Sequence, residues 1–246
     1  MSHLILVVPC YDEAARLDCE AFRRFSLPGH RVEFLFVDDG SRDATLSVLQ
    51  GLAAEDPLRF SVLALAQNSG KAEAVRQGIL EAIGRKPELT GFWDADLATP
   101  LEELSAFFKV FDTRPEIAMV FAARVRLLGR SISRRASRHY VGRVGATLIA
   151  SSLGMAVYDT QCGAKLFRVT GDLRDVFSRP FLSRWIFDVE IIARFVKRWG
   201  RELAARSIYE LPITTWHDVK GSKVKGRDFI RALRDLWKIR RAYRSG

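Results

Sequence analysis

Leu89-Thr90-Gly91-Phe92-Trp93-Asp94-Ala95-Asp96 runs from an apolar stretch into two carboxylates one residue apart, and Thr99 and Pro100 supply the turn that follows. A short apolar run bounded by turn residues reads as a buried strand, and residues 101–111 beyond it carry apolar side chains at helical spacing. The same alternation runs through the first half of the chain. Strands are predicted near residues 4–8, 32–37, 60–65, 91–93 and 118–121, with helices near 43–55, 71–83 and 101–111. Strand then helix, repeated, implies parallel pairing and an α/β doubly wound sheet.

In such sheets ligands bind at the C-terminal ends of the strands. Four consecutive strand ends carry polar residues here: Tyr11, Asp12 and Glu13; Asp38, Asp39 and Gly40; Asn68, Gly70 and Lys71; Asp94 and Asp96. Helix capping explains individual members, since Ser41 and Asp43 can simply start a helix. It does not explain four ends facing one crevice. Asp94 and Asp96 can both reach one hard cation, and such a cation can hold the diphosphate of a nucleotide. The Asp39 carboxylate can accept a ring N–H, which uracil and guanine offer and adenine does not.

The other familiar nucleotide motifs are absent. Gly70-Lys71 lacks both the upstream glycine and the following Ser or Thr of a P-loop, and no G-x-G-x-x-G follows the first strand. Cys10, Cys19 and Cys162 are odd in number and never spaced C-x-x-C, and the histidines form no H-x-x-x-H. Neither a disulfide framework nor a zinc site is suggested, and a reducing compartment fits. The start of the chain reads as a first strand rather than a signal peptide.

The formal charge of +10 is regional. Residues 117–158 hold no Asp or Glu but seven arginines: 124, 126, 130, 134, 135, 138 and 143. Residues 220–246 hold ten Lys or Arg against Asp228 and Asp235, so the rest of the chain is net acidic. Regional basic charge implies an anionic partner: nucleic acid, an anionic membrane surface or substrate phosphates. Against nucleic acid, the basic windows lack interleaved stacking aromatics, and the acidic strand ends repel phosphates unless a metal intervenes.

Taken in order, Val8-Pro9-Cys10-Tyr11-Asp12-Glu13, the run from Val37 to Thr45, Asn68-Ser69-Gly70-Lys71 and Asp94-Ala95-Asp96 resemble the family 2 glycosyltransferases of GT-A fold. Asp159-Thr160-Gln161-Cys162-Gly163-Ala164-Lys165-Leu166-Phe167, Phe187-Asp188-Val189-Glu190 and Gly221-Ser222-Lys223 are most similar to the polyprenyl-phosphate branch, in particular the dolichyl-phosphate β-glucosyltransferases. The resemblance implies inverting transfer from a nucleotide sugar to a lipid phosphate, with Mg²⁺ or Mn²⁺ as cofactor. UDP-glucose is the expected donor; GDP-mannose or a soluble acceptor is the same-class alternative.

Carried over by motif, Pro9, Tyr11, Glu13 and Asp39 line the base and ribose pocket. Asp38, Lys71 and Asp94 complete the nucleotide set, and Asp94 and Asp96 act at the metal. Related mannosyltransferases carry a glutamine where this chain has Ala98, which weakens the mannosyl reading and leaves the third protein contact to the metal open. Catalysis is assigned to Asp96, Asp159, Arg124 and Arg135. The acceptor phosphate is assigned to Arg124, Arg134, Arg135, Arg138, Ser222 and Lys223. Asp159 has a plainer reading as the turn residue ending a helix.

The expected organisation is a GT-A domain over 1–226, with a donor half to about 122 and an acceptor half from about 123, followed by a basic amphipathic helix over 227–246. Residues 144–158 are uncharged but too short for a confident membrane span, so a helix buried or lying at the bilayer surface is expected. In the C-terminal segment Phe229, Ile230, Leu233, Leu236 and Trp237 fall at helical spacing among seven Lys or Arg. That face can bind anionic lipid or pack on the domain. The expected location is peripheral, on the cytoplasmic face of a membrane; the oligomeric state is not legible.

Overall fold

The computed structural model describes residues 2–125, 128–132, 147–217 and 226–243, with side chains in the last segment from residue 231 onward. The first half of the chain forms β1 (Ser2–Cys10), α1 (Cys19–Arg24), β2 (His30–Asp38), α2 (Thr45–Glu55), β3 (Phe60–Ala64), α3 (Lys71–Gly84), β4 (Leu89–Trp93), α4 (Leu104–Thr113) and β5 (Met119–Ala123). Then come β6 (Ser131–Ile132), α5 over residues 147–153, β7 (Ala164–Arg168), α6 (Gly171–Phe177), α7 (Phe187–Trp199), α8 (Arg201–Ser207), β8 (Ile208–Pro212), β9 (Thr215–Trp216) and α9 (Gly226–Tyr243). Every strand and helix expected in the first half is present.

Seven strands make one sheet in the order β3-β2-β1-β4-β7-β5-β8. All neighbours are parallel except β7, which runs antiparallel between β4 and β5. Periodicity did not reveal β7 or β8. In β7 the cause is Lys165, which interrupts the apolar run yet is completely buried. Because β7 comes from the second half and is inserted between two strands of the first, the two halves of the chain share one sheet.

Both faces of the sheet are covered, which explains why its central strands read as unbroken apolar runs. Successive side chains of β1 alternate: Leu4, Leu6 and Val8 pack with Phe22, Phe34, Phe36 and Leu49 on one face, and Ile5 and Val7 pack with Leu35, Val37 and Val75 on the other. Edge-to-face contacts of Phe22 with Phe34 and Phe36, at 5.2 and 5.1 Å, knit the first layer together.

Pro9 stands in a central strand, where its missing N–H would ordinarily break a ladder. Pairing of β1 with β4 ends at Val7, so Pro9 falls where the two strands part. That divergence opens the crevice.

The uncharged 144–158 stretch is helical at 147–153 among the described residues, with Ile149 and Leu153 buried and Leu148 exposed. The C-terminal helix starts one residue earlier than expected, and one of its faces packs on the domain: Ile239 is buried, with Ala232, Leu236 and Tyr243 beside it.

Candidate active site

The four polar strand ends are tied to one another. After β1, the Asp12 N–H donates to Ser41 Oγ at 3.1 Å, and the Arg42 N–H returns to Asp12 Oδ1 at 2.8 Å. Thr45 Oγ1, at the start of α2, accepts the N–H groups of Glu13 and Ala14 at 2.8 and 3.0 Å. After β2, Asp39 accepts the N–H of Ser69 and of Gly70, each at 2.7 Å, binding the second strand end to the third. Lys71 Nζ then forms an ion pair with Asp94 Oδ1, binding the third to the fourth.

Two carboxylate oxygens in this crevice, Asp38 Oδ1 and Glu13 Oε2, are buried and accept no hydrogen bond from the described residues. Buried acceptors without donors are costly, and hydroxyl or N–H groups of a bound ligand can satisfy them. Asp39, by contrast, already accepts two backbone N–H groups, so a base N–H would have to share its remaining lone pairs. Burial raises the Asp39 carboxyl above its ordinary range, and the two N–H bonds pull it back. Burial likewise raises Glu13.

At the end of β4, Asp94 and Asp96 stand half-buried on a tight turn that Leu97 passes in the left-handed region, at φ +49°. A β-carbon costs energy there, and such strain is found at sites where it positions a side chain. The Ala98 N–H donates to Asp96 Oδ1 at 3.1 Å. Burial, then the neighbouring Asp94 charge, pushes the Asp96 carboxyl up. Gly163 lies against Asp94: a β-carbon there would meet Asp94 Oδ2 at 1.9 Å. Its carbonyl accepts the Asp94 N–H at 2.9 Å.

These residues fit a divalent cation of the Mg²⁺ or Mn²⁺ class. The donors are hard carboxylate oxygens, two from protein, and such ions keep waters and substrate phosphates as their other ligands. Among the described residues there is no cluster of three or more His, Cys, Asp or Glu that would make an all-protein cage.

Arg124, just past β5, forms a two-pronged pair with Asp159: Nε to Oδ2 at 2.6 Å and Nη2 to Oδ1 at 2.7 Å. Asp159 is buried and Arg124 largely so, and the guanidinium also lies 5.3 Å from the Trp216 ring centre. Burial works against the Arg124 charge, but Asp159 more than offsets it and holds the group above the usual arginine range. Glu210 accepts the Asp159 N–H at 2.6 Å and fixes that loop. Asp159 is thus an ion-pair partner within the site, neither a solvated turn residue nor an open carboxylate.

Pro9, Tyr11, Glu13, Asp38, Asp39, Lys71, Asp94 and Asp96 all lie at the C-terminal ends of β1 to β4, as expected, and the Arg124–Asp159 pair follows β5. Arg134, Arg135, Arg138, Ser222 and Lys223 lie outside the described residues.

Sequence reasoning missed Lys165, which is buried and reaches both Cys162 O at 2.6 Å and Asp188 Oδ1 at 2.5 Å. Its place inside the Asp159 to Phe167 motif was the available signal. It also missed Arg184, whose Nε lies 2.7 Å from where a β-carbon on Gly70 would stand. Nothing local in the sequence marked that arginine. Neither buried thiol is a nucleophile: burial pushes Cys162 up to about 11 and Cys10 higher still.

Residues 5–173 match the sequence profile described as Glycosyl transferase family 2. The chain belongs to that family. This glycosyltransferase is 31% identical to the dolichyl-phosphate beta-glucosyltransferase of Saccharomyces cerevisiae over 264 residues, covering 99% of this chain and 75% of the yeast protein. It is 31% identical to the Homo sapiens protein of the same name over 262 residues, covering 99% and 76%. Its fold is similar to that of glucosyl-3-phosphoglycerate synthase from Mycobacterium tuberculosis, solved with Mn²⁺, UDP and glucosyl-3-phosphoglycerate. The TM-score is 0.66 at 17% identity, covering 97% of this chain and 80% of the other. The transferase therefore has the GT-A fold, with the inserted antiparallel β7 as part of its sheet.

Proposed function

We propose that this glycosyltransferase moves glucose from UDP-glucose to a polyprenyl phosphate of the dolichyl type, with inversion at the anomeric carbon. The observation that carries the reading is the likeness, over 99% of the chain, to dolichyl-phosphate beta-glucosyltransferases from yeast and human. Ala98, where a mannosyl enzyme would carry glutamine, points the same way. The location that fits is peripheral, at the cytoplasmic face of a membrane. Among the described residues no helix is long and apolar enough to cross one.

The acceptor is already an anion near neutral pH, so attack on the anomeric carbon needs little help from a general base. A phosphate oxygen of the lipid forms the new bond to C1, the bond from C1 to the diphosphate oxygen breaks, and UDP leaves with the electron pair. Positioning and charge neutralisation then supply most of the rate. Asp38 and Glu13 take up nucleoside hydroxyl and N–H donors with their unpartnered oxygens. Lys71 meets the diphosphate once it leaves Asp94. Asp94 and Asp96 would hold a divalent cation, whose charge would offset the negative charge that develops on the departing diphosphate. Arg124, oriented by Asp159, faces the acceptor phosphate, and Arg134, Arg135, Arg138, Ser222 and Lys223 complete that subsite.

The test is a donor screen with a short polyprenyl phosphate across UDP-, GDP- and ADP-sugars, with Mn²⁺ or with EDTA. Metal-dependent transfer from UDP-glucose supports the reading. Preferred transfer from GDP-mannose, transfer only to a soluble hydroxyl acceptor, or equal donor affinity in EDTA overturns the corresponding part.

A further inference from the structure

Large exposed apolar side chains are scattered over most of this surface, but four of them gather about one hydrogen bond. Ser183 Oγ, in the turn before α7, donates to Asp235 Oδ2 of α9 at 2.8 Å, and both residues are buried. Within two residues of Ser183 stand Leu182 and Trp185, 48% and 39% exposed; within two residues of Asp235 stand Leu233 and Trp237, 40% and 61% exposed. Trp185 and Trp237 are the two exposed tryptophans among the described residues.

The support beneath them is rigid. Ser183 Oγ also accepts the N–H of Trp185 at 3.2 Å and of Ile186 at 3.0 Å, closing the turn. Glu190, wholly buried in α7, accepts the Leu182 N–H at 2.7 Å and the Tyr243 hydroxyl at 2.9 Å. The turn and α9 are therefore pinned to α7 at two points. On α9 the packed face holds Ala232, Leu236, Ile239 and Tyr243, so helical geometry turns Leu233 and Trp237 outward.

The charge around the patch has one sign. Arg231, Arg234, Lys238, Arg240 and Arg241 are all exposed, and Arg241 lies over the Trp237 ring at 5.5 Å from its centre. Only Lys238 has a carboxylate near it among the described residues, Asp235 at 3.5 Å. Tryptophan flanked by arginine and lysine on a rigid helix suits the boundary between headgroups and acyl chains, where the ring is half-immersed and the cations meet anionic lipid.

We infer that the 182–185 turn and the outward face of α9 form a single docking surface for an anionic lipid bilayer. This deepens the proposed function and rests on its reading of the acceptor as a membrane lipid. Arg184 belongs to the same turn and reaches over Gly70 in the donor crevice. The surface that meets the bilayer is thus directly joined to the site where the donor binds.

The experiment uses the full chain with phosphatidylcholine vesicles, with and without phosphatidylserine, in the absence of donor and of any lipid phosphate. The intact protein should sediment with the phosphatidylserine vesicles, be released by salt, and show tryptophan emission quenched by brominated acyl chains. Trp185→Ala/Trp237→Ala and Arg234→Glu/Arg241→Glu should each weaken partitioning roughly tenfold with far-ultraviolet circular dichroism and a cooperative unfolding transition retained. Leu58→Ala, an exposed leucine elsewhere, should bind as the intact protein does. Undiminished binding by both double variants overturns the inference, as does a dimer in solution that Trp237→Glu dissolves while the vesicles stay bare. Transfer to a short soluble polyprenyl phosphate, measured in parallel, separates the two claims. Retained transfer without vesicle binding sinks the docking surface alone, and vesicle binding without transfer to any lipid phosphate sinks the acceptor reading.

Discussion

Lys71 Nζ is ion-paired with Asp94 Oδ1 across the mouth of the crevice, so an ammonium sits on one of the two carboxylates a metal would use. Desolvation in the crevice opposes the Lys71 charge, but Asp94 and then Asp188 hold it above the ordinary lysine range. The pair is partly solvated and is worth at most about 1 kcal/mol. Lys71→Met should therefore tighten Mn²⁺ binding to the free protein by up to about fivefold, while weakening UDP-glucose binding because a diphosphate contact is gone. Titration of Mn²⁺ followed by electron paramagnetic resonance checks the first effect; unchanged Mn²⁺ affinity shows that the pair does not compete with the metal.

Gly163→Ala should disable the site more than the fold. The new methyl would meet Asp94 Oδ2 and Cγ at 1.9 and 2.1 Å, so the carboxylate must swing away. Overpacking of this kind costs about 1–3 kcal/mol of stability, whereas a misplaced metal carboxylate should lower kcat/KM at least about a hundredfold. Denaturant unfolding and steady-state transfer, measured side by side, separate the two. Near-normal transfer would show that Asp94 is not held by this contact.

Asp159→Ala leaves the Arg124 guanidinium buried without its two-pronged partner. Removing one member of such a pair costs about 3–5 kcal/mol, and Arg124→Ala/Asp159→Ala should lose less than the sum of the single variants. Additive losses in urea unfolding would mean that the two residues are not energetically coupled.

Glu210 provides a pH-dependent reading of the same loop. Burial, opposed by the Tyr158 and Asp159 N–H bonds, raises its carboxyl above the ordinary glutamate range. The folded protein therefore binds this proton more tightly than the unfolded chain. The stabilising contribution is complete below the unfolded pKa and is lost as pH rises through the folded one. The stability of the natural protein relative to Glu210→Gln should fall as pH rises from the ordinary glutamate range upward. Unfolding midpoints across that range test this, and a relative stability that grows with pH contradicts it.

Arg184 stands over Gly70, where the backbone runs at φ +92° and a side chain would collide with the guanidinium. A charge-assisted contact to the donor there is worth about 1.5 kcal/mol, so Arg184→Ala should raise the UDP-glucose KM about tenfold with little change in kcat. A fall in kcat at constant KM would place this arginine at the reacting centre instead.

The strand-helix alternation and the four polar strand ends were legible because each is local: period-two and period-3.6 patterns, together with turn residues, lie within a dozen positions of one another. The paired carboxylates after Trp93 were legible for the same reason. Lys165 was not. A lysine in a strand ordinarily marks solvent, and only Asp188 and the Cys162 carbonyl, brought up by β7 and α7, make its complete burial tolerable.

Sequence by itself determined the α/β class, the crevice at the ends of β1 to β4 and the polar residues those strand ends carry. It also showed the basic, amphipathic character of the C-terminal helix. Tertiary structure alone decided that β7 enters the sheet antiparallel, that Asp159 is committed to Arg124 and Asp39 to the Ser69–Gly70 turn, and that Trp185 and Trp237 flank the same hydrogen bond. The physical reason is sequence separation. Periodicity reports which face of an element is apolar, but which polar groups satisfy one another across 35 or 52 residues depends on where the packed elements bring them.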